Sequence, residues 1–292
     1  MGFRDAIRDA MGSKVRATPA SEGGLDLDDL GFDQVNDNDW IRLQLRANAP
    51  GDPDPHGAGL PAGRLVRMNV ASRAEPIALG WLSDRADQFS EEWYAVADRF
   101  PNAGIWPVLL AGATAGEPGW LAGGVGAPQL VDDDAEALLA RTYQAAEELD
   151  GLDPWRSRWL GLAPGEPDRD QLVGVRPMAG QGALLLVPVT RPADVPAAIG
   201  WTGAEGYEYS GAGISAVLRS WEDRFGAVLI GLGPDRLRLS VERPPRYPEQ
   251  ARRLAGEHYG LAPDVIDQGA GGDPEAYAEQ LFGRREWDFW WN

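Results

Sequence analysis

The sequence predicts an α/β or α+β protein of two lobes, each a small mixed β-sheet with helices packed on it. Three observations predict this class. Apolar residues recur with helical spacing in some segments and with period two in others. These helical and strand segments alternate along the chain, which favours a mixed architecture. A sequence pattern also recurs about 120 residues further on, as an internal duplication would produce.

The recurring pattern predicts, in both copies, a strand that ends in Gly-Trp, a helix whose last turn carries Asp-Arg-Phe, and then a buried strand. Residues 76–81 read PIALGW and residues 196–201 read PAAIGW. Each is followed by a segment that carries a tryptophan and the triplet Asp-Arg-Phe, at 98–100 and at 223–225. Because the spacing from tryptophan to triplet differs between the copies, chance similarity is the alternative to duplication.

The predicted organisation has three parts. Residues 1–20 form an amphipathic helix and a linker, residues 21–165 an N-terminal α/β lobe, and residues 170–292 a C-terminal α/β lobe. Phe3 and Ile7 share the apolar face of the first helix, and nearby basic residues make it locally cationic. This helix either packs on its own domain or docks the protein on a partner.

The first lobe has strand and helix signals in succession. Strands are expected at 40–45, where apolar and polar residues alternate, at 64–70 and at 106–112. Residues 132–149 begin with three aspartates and continue with helical spacing of apolar residues, which predicts a helix. The segment 150–171, rich in proline, glycine and charge, is then expected to mark the lobe boundary.

The second lobe opens with a nearly continuous apolar run at 183–189, typical of a central strand buried on both faces. A glycine-rich turn then leads into a helix, with Ser210 or Ser215 near its start and Gly226 as its left-handed cap. Strands 227–232 and 236–242 are separated by a tight Gly-Pro-Asp connection, which predicts a hairpin.

Two further helices are expected before the end of the chain. The first covers 248–260, with Pro248 in its first turn and Gly260 as its C-terminal cap. The second covers 274–283.

The last seven residues, EWDFWWN, alternate in a way that predicts a strand. Trp287, Phe289 and Trp291 would share one face and close the core. Asp288 and Trp290 would lie on the other face, and Trp290 would be the residue most free for recognition.

The second lobe also resembles a known family. The runs WEDRFG, SVERPP, APDVIDQG and WDFWW are similar to the bacterial domain-of-unknown-function family 4253, over residues 196–292. The resemblance implies a domain of that kind and brings no catalytic residue, substrate or cofactor with it.

Composition limits the chemistry that is available. The chain has no cysteine and two histidines, which excludes disulfides and thiol catalysis and predicts no metal site and no cofactor. Its 45 acidic and 27 basic residues give a formal net charge of −18. Such a surface repels nucleic acid and anionic membranes; it either attracts a basic protein or serves only to keep the protein in solution. No apolar run is long enough to span a bilayer, and a cytoplasmic, bacterial protein is expected.

Few residues are candidates for function. His258, with Asp264 or Asp267 as an orienting carboxylate, is the weak catalytic candidate. Trp290, Asp288, Phe3 and Ile7 are candidate binding residues, together with Trp221 and Arg224 from the second copy of the repeat.

Three hypotheses follow for the function. The first is a non-enzymatic accessory or immunity-like factor that engages a basic partner protein. The second is a component of a larger assembly, docked by the N-terminal helix. The third is a hydrolase or transferase that uses carboxylates around His258.

Overall fold

The structure is a computed structural model, and it describes residues 60–68, 77–100, 104–111, 120–121, 126–147, 159–165, 175–177 and 179–292. The predicted N-terminal helix, with Phe3 and Ile7, and the predicted strand at 40–45 lie outside the described residues.

Strands and helices alternate through the described ranges. The strands are β1 Gly63–Met68, β2 Ile77–Asp87, β3 Ile105–Ala111, β4 Gly182–Pro188, β5 Ala227–Leu232, β6 Arg236–Val241 and β7 Glu286–Trp290. The helices are α1 Ser90–Ala97, α2 Ala135–Glu147, α3 Val195–Ala198, α4 Gly211–Phe225, α5 Pro248–Leu261, α6 Asp264–Asp267 and α7 Pro274–Gln280. The mixed α/β class predicted from the sequence is confirmed.

The described strands form one sheet with the order β1-β2-β4-β3-β5-β6-β7. Strand β4 comes from the predicted second lobe, yet it lies between β2 and β3 of the predicted first lobe. All seven residues of β4 are buried, as its apolar run predicts. Strands β3 and β5 pair in parallel, and the other neighbours pair antiparallel.

The duplication into two lobes is not confirmed. Residues 77–81 of the first segment lie in β2 and join the ladder with β1, as predicted, whereas the strand predicted at 196–201 is wrong, since residues 196–198 belong to the short helix α3. Pro196 occupies the first turn of that helix, where proline is preorganised for helix and has no N–H to give to a strand. Two similar sequences thus adopt different secondary structures.

The strand connections and caps of the second half follow the sequence prediction in most places. Strands β5 and β6 form the expected hairpin, closed by the Gly233 N–H and the Arg236 carbonyl at 2.8 Å. Helix α4 begins at the Ser210 side chain, which accepts from the Gly213 N–H at 3.0 Å, and ends at Gly226 with a φ of 59°.

One predicted cap is wrong. Helix α5 begins at Pro248 as expected but continues to Leu261, so Gly260 does not end it. A Cβ atom at Gly260 would lie 2.9 Å from the Leu139 carbonyl oxygen of α2. The glycine is therefore required where two helices approach closely.

The C-terminal strand closes the core, as predicted. Trp287 and Phe289 are each 1% exposed and Trp291 is 4% exposed. Helix α4 covers this face, with Trp221 stacked on Phe289 at 5.1 Å between ring centroids and meeting Trp287 edge to face. Within the described ranges, no helix is both long enough and apolar enough to cross a bilayer.

Candidate functional site

The first cluster of charged groups joins α4, α5 and the segment 159–165. Glu257 is wholly buried and accepts two hydrogen bonds from the Arg224 guanidinium, at 2.9 and 2.6 Å. The Trp221 indole N–H donates to Glu257 at 2.7 Å, and the Ala163 backbone N–H donates at 2.6 Å. A buried carboxylate needs this many donors, because burial of an unpaired charge costs several kcal/mol.

This cluster decides the role of the second Asp-Arg-Phe triplet. A surface or capping contact is expected for its Asp-Arg pair, and Asp223 does lie at the surface beside Arg191. Arg224 instead turns inward to Glu257, with a side chain that is 17% exposed. Trp221 is fully buried. The two candidate binding residues of the repeat therefore hold helices together.

His258 lies in the centre of an aromatic cluster. Its ring centroid is 4.7 to 4.9 Å from those of Trp221, Trp287 and Phe289. Its Nδ1 atom lies 2.9 Å from the Tyr277 hydroxyl, and Nε2 has no hydrogen-bond partner among the described residues. Burial, and then the nearby charges of two arginines, lowers the pKa of His258 well below its usual range, so the imidazole is neutral.

The two candidate carboxylates do not face this imidazole. Asp264 is buried and accepts from the Tyr207 hydroxyl at 2.7 Å and from the Asn292 backbone N–H at 2.8 Å. Asp267, the last residue of the same short helix α6, is half-buried. Asp264 thus holds the C-terminal residue Asn292 in place. No carboxylate of the described residues contacts either nitrogen of His258.

An open cleft lies on the sheet beside β5, β6 and β7, and Trp290 and Asp288 both line it. Its volume is about 330 Å³. We call it the arginine cleft; its lining residues are Gly231, Leu232, Gly233, Arg236, Leu237, Arg238, Arg284, Asp288, Phe289 and Trp290.

The strand register explains how the polar part of this lining arises. Directly paired residues of neighbouring strands point to the same face of a sheet. Arg238 is paired with Gly231 on one side and with Asp288 on the other, and Arg236 is paired with Trp290. Because Gly231 has no side chain, the space beside Arg238 stays open.

The cleft carries an excess of positive charge in an acidic protein. Arg238 forms an ion pair with Asp288, both about one third exposed. Arg236 is 66% exposed, and the nearest carboxylate oxygen, of Asp235, lies 4.0 Å away. Arg284 donates from Nε to the Glu286 carbonyl at 3.0 Å.

Sequence reasoning found half of this cleft. The alternation in the last strand predicts Trp290 and Asp288 as binding residues, whereas Arg236, Arg238 and Arg284 are not among the residues predicted to bind. The available signal is the pair of glycines at 231 and 233, one near the end of β5 and one directly after it, which both line the cleft beside the β6 arginines. Arg284 is brought in by the turn before β7, which sequence spacing does not reveal.

The comparisons with known proteins match the C-terminal part of the chain. Residues 183–292, from β4 to the end of the chain, match a domain of unknown function (DUF4253). The predicted resemblance is confirmed, and it extends upstream of residue 196 to include β4. The two aromatic and charged clusters and the arginine cleft are all built largely from this segment. Neither the curated proteins nor the solved structures contain a significant match to the chain.

Proposed function

We propose that this protein is a non-enzymatic binding protein, an accessory or immunity-like factor that engages a basic partner protein. The observation that carries the proposal is that two of the three catalytic candidates, His258 and Asp264, are buried and contact other parts of the fold. A general base must come within hydrogen-bonding reach of its substrate. Neither side chain can reach a substrate without rearrangement of the core, and no carboxylate of the described residues contacts either nitrogen of His258.

Charge supports a basic partner. The start of α2 presents the carboxylates of Asp132, Asp133 and Glu136 at the surface, and none has a cationic partner among the described residues. Asp134 beside them caps the helix, accepting from the Ala137 N–H at 2.7 Å. Unpaired surface charges of one sign steer an oppositely charged partner and raise its association rate.

The experiment measures complex formation with the purified proteins encoded beside its gene, by mass photometry and by association kinetics at low and high salt. We expect one basic partner to bind, with an association rate that falls as salt rises. The Asp132→Asn/Asp133→Asn double variant should associate several-fold more slowly. A matched control, Glu205→Gln/Glu279→Gln, removes two exposed carboxylates elsewhere and should associate like the parent.

The proposal would be overturned if the protein stayed monomeric with every candidate partner. It would also be overturned if a complex formed at a rate that depends neither on salt nor on the Asp132/Asp133 substitutions. The hydrolase alternative around His258 has no supporting contact in the geometry above. The alternative of an assembly component rests on residues 1–20, which lie outside the described residues.

A further inference from the structure

We propose that the arginine cleft binds a small planar organic anion, with its carboxylate or phosphate on the arginines and its ring against Trp290. This site has the opposite charge to the surface at the start of α2. The inference goes beyond the proposed function, and either one can fail while the other stands.

The size and lining of the cleft favour a small molecule. Small-ligand pockets have volumes of roughly 300–1,000 Å³ and combine apolar walls with a few convergent polar groups. The cleft of about 330 Å³ lies at the lower end of that range. The Trp290 indole supplies its apolar wall, and three arginines and Asp288 supply its polar part; Leu232, Leu237 and Phe289 also border the cleft but are at most 2% exposed.

The arginines offer donors that the fold does not use. The only described partner of Arg284 is the Glu286 carbonyl at Nε, so its two terminal amino groups have no partner among the described residues. Arg236 has only the distant contact with Asp235. A guanidinium presents parallel N–H groups that match a carboxylate or a phosphate. The lining carries three positive charges and one negative charge, so the cleft favours an anionic ligand.

Trp290 supplies a flat wall that is held in place. Its indole lies against Gly269, where an added Cβ atom would come within 2.8 Å of the ring. The residue is only half-buried, whereas Trp287 and Trp291 of the same segment are buried. A fixed and partly exposed indole beside guanidinium groups is suited to stacking on an aromatic ring.

The test measures the binding of four probes to the full chain. Binding is monitored by calorimetry and by the chemical shifts of the tryptophan side-chain N–H groups. Benzoate and phenyl phosphate carry both the ring and the charge. Inorganic phosphate carries only the charge, and benzyl alcohol only the ring. We expect saturable binding of benzoate or of phenyl phosphate in the millimolar range, with each single-feature probe about tenfold weaker. Which of the two binds distinguishes a carboxylate ligand from a phosphate ligand.

Single-residue variants test whether the probe binds in the arginine cleft. Arg284→Gln and Trp290→Ala should each weaken the affinity for the better probe about tenfold. Arg236→Gln, at an exposed position where folding is not at risk, should weaken it several-fold. Arg253→Gln, an exposed arginine of α5 paired with Glu249, is the matched control and should bind like the parent.

Failure of both benzoate and phenyl phosphate to saturate at low salt would overturn the inference. Binding that the Arg236→Gln and Trp290→Ala variants leave unchanged would also overturn it, because the probe would then occupy another place. A folded Arg236→Gln protein, verified by its thermal midpoint, keeps the test valid if Arg284→Gln does not fold.

Discussion

Replacement of Glu257 by glutamine should lower the free energy of unfolding by about 3–5 kcal/mol, the usual cost of removing one partner from a buried ion pair. Glutamine has nearly the same shape, so the cavity contribution is negligible. The substitution leaves the Arg224 charge unpaired, and it turns an amide nitrogen toward groups that can only donate hydrogen bonds.

The contacts of Glu257 account for this magnitude. Its carboxylate accepts four hydrogen bonds, two from Arg224, one from the Trp221 indole and one from the Ala163 backbone. Hydrogen bonds to a charged group contribute about 1.5–3 kcal/mol each and do not add independently. A glutamine oxygen retains at most two of the four, which agrees with a loss of several kcal/mol.

The assay is equilibrium unfolding in urea of the parent, Glu257→Gln, Arg224→Met and the double variant. The double variant should be more stable than the sum of the single effects predicts, by about 1–3 kcal/mol, because removal of Arg224 also removes its unpaired charge. Glu249→Gln breaks the exposed pair with Arg253 on the same helix and should cost less than about 1 kcal/mol.

A Glu257→Gln protein within about 1 kcal/mol of the parent would refute the reasoning, since the pair would then contribute no more than a surface pair. Strict additivity of the two single effects would refute it as well.

Three further predictions concern the same half of the chain. Trp287→Ala should cost about 3–5 kcal/mol in unfolding free energy because it empties a buried site, whereas Trp290→Ala, on the other face of the strand, should cost clearly less; equal losses in urea unfolding would contradict the assignment of faces. In the unfolded chain His258 binds a proton below about pH 6.5, whereas in the folded protein the buried imidazole stays neutral. Stability relative to His258→Phe should therefore fall with decreasing pH, approaching about 1.4 kcal/mol per pH unit, and a difference that stays flat between pH 7 and 5 would argue against a buried neutral imidazole. Gly200→Ala should lower the thermal midpoint more than Gly271→Ala, because both have a positive φ but only Gly200 faces a backbone oxygen, 2.1 Å from the added Cβ; similar midpoints would count against that contact.

Local patterns predicted most of the individual elements. The central strand at 182–188, the β5–β6 hairpin, the cap at Gly226 and the buried face of the last strand all follow from side-chain periodicity and turn residues near in sequence. The error at Gly260 has a long-range cause, since the atom that excludes a side chain there belongs to Leu139. A glycine at a helix end and a glycine at a helix crossing look alike in one sequence.

The sequence by itself determined most of the described helices and strands, which residues are apolar enough to be buried, and that the C-terminal third resembles an uncharacterised domain. Only the tertiary structure decided that strands from both halves share one sheet, that Arg224 turns inward to Glu257, and that three arginines meet Trp290 in one cleft. The physical reason is that periodicity reports which side of its own element a residue occupies. The partner across the sheet or the helix interface depends on contacts between residues far apart in the chain, and those contacts leave no local pattern.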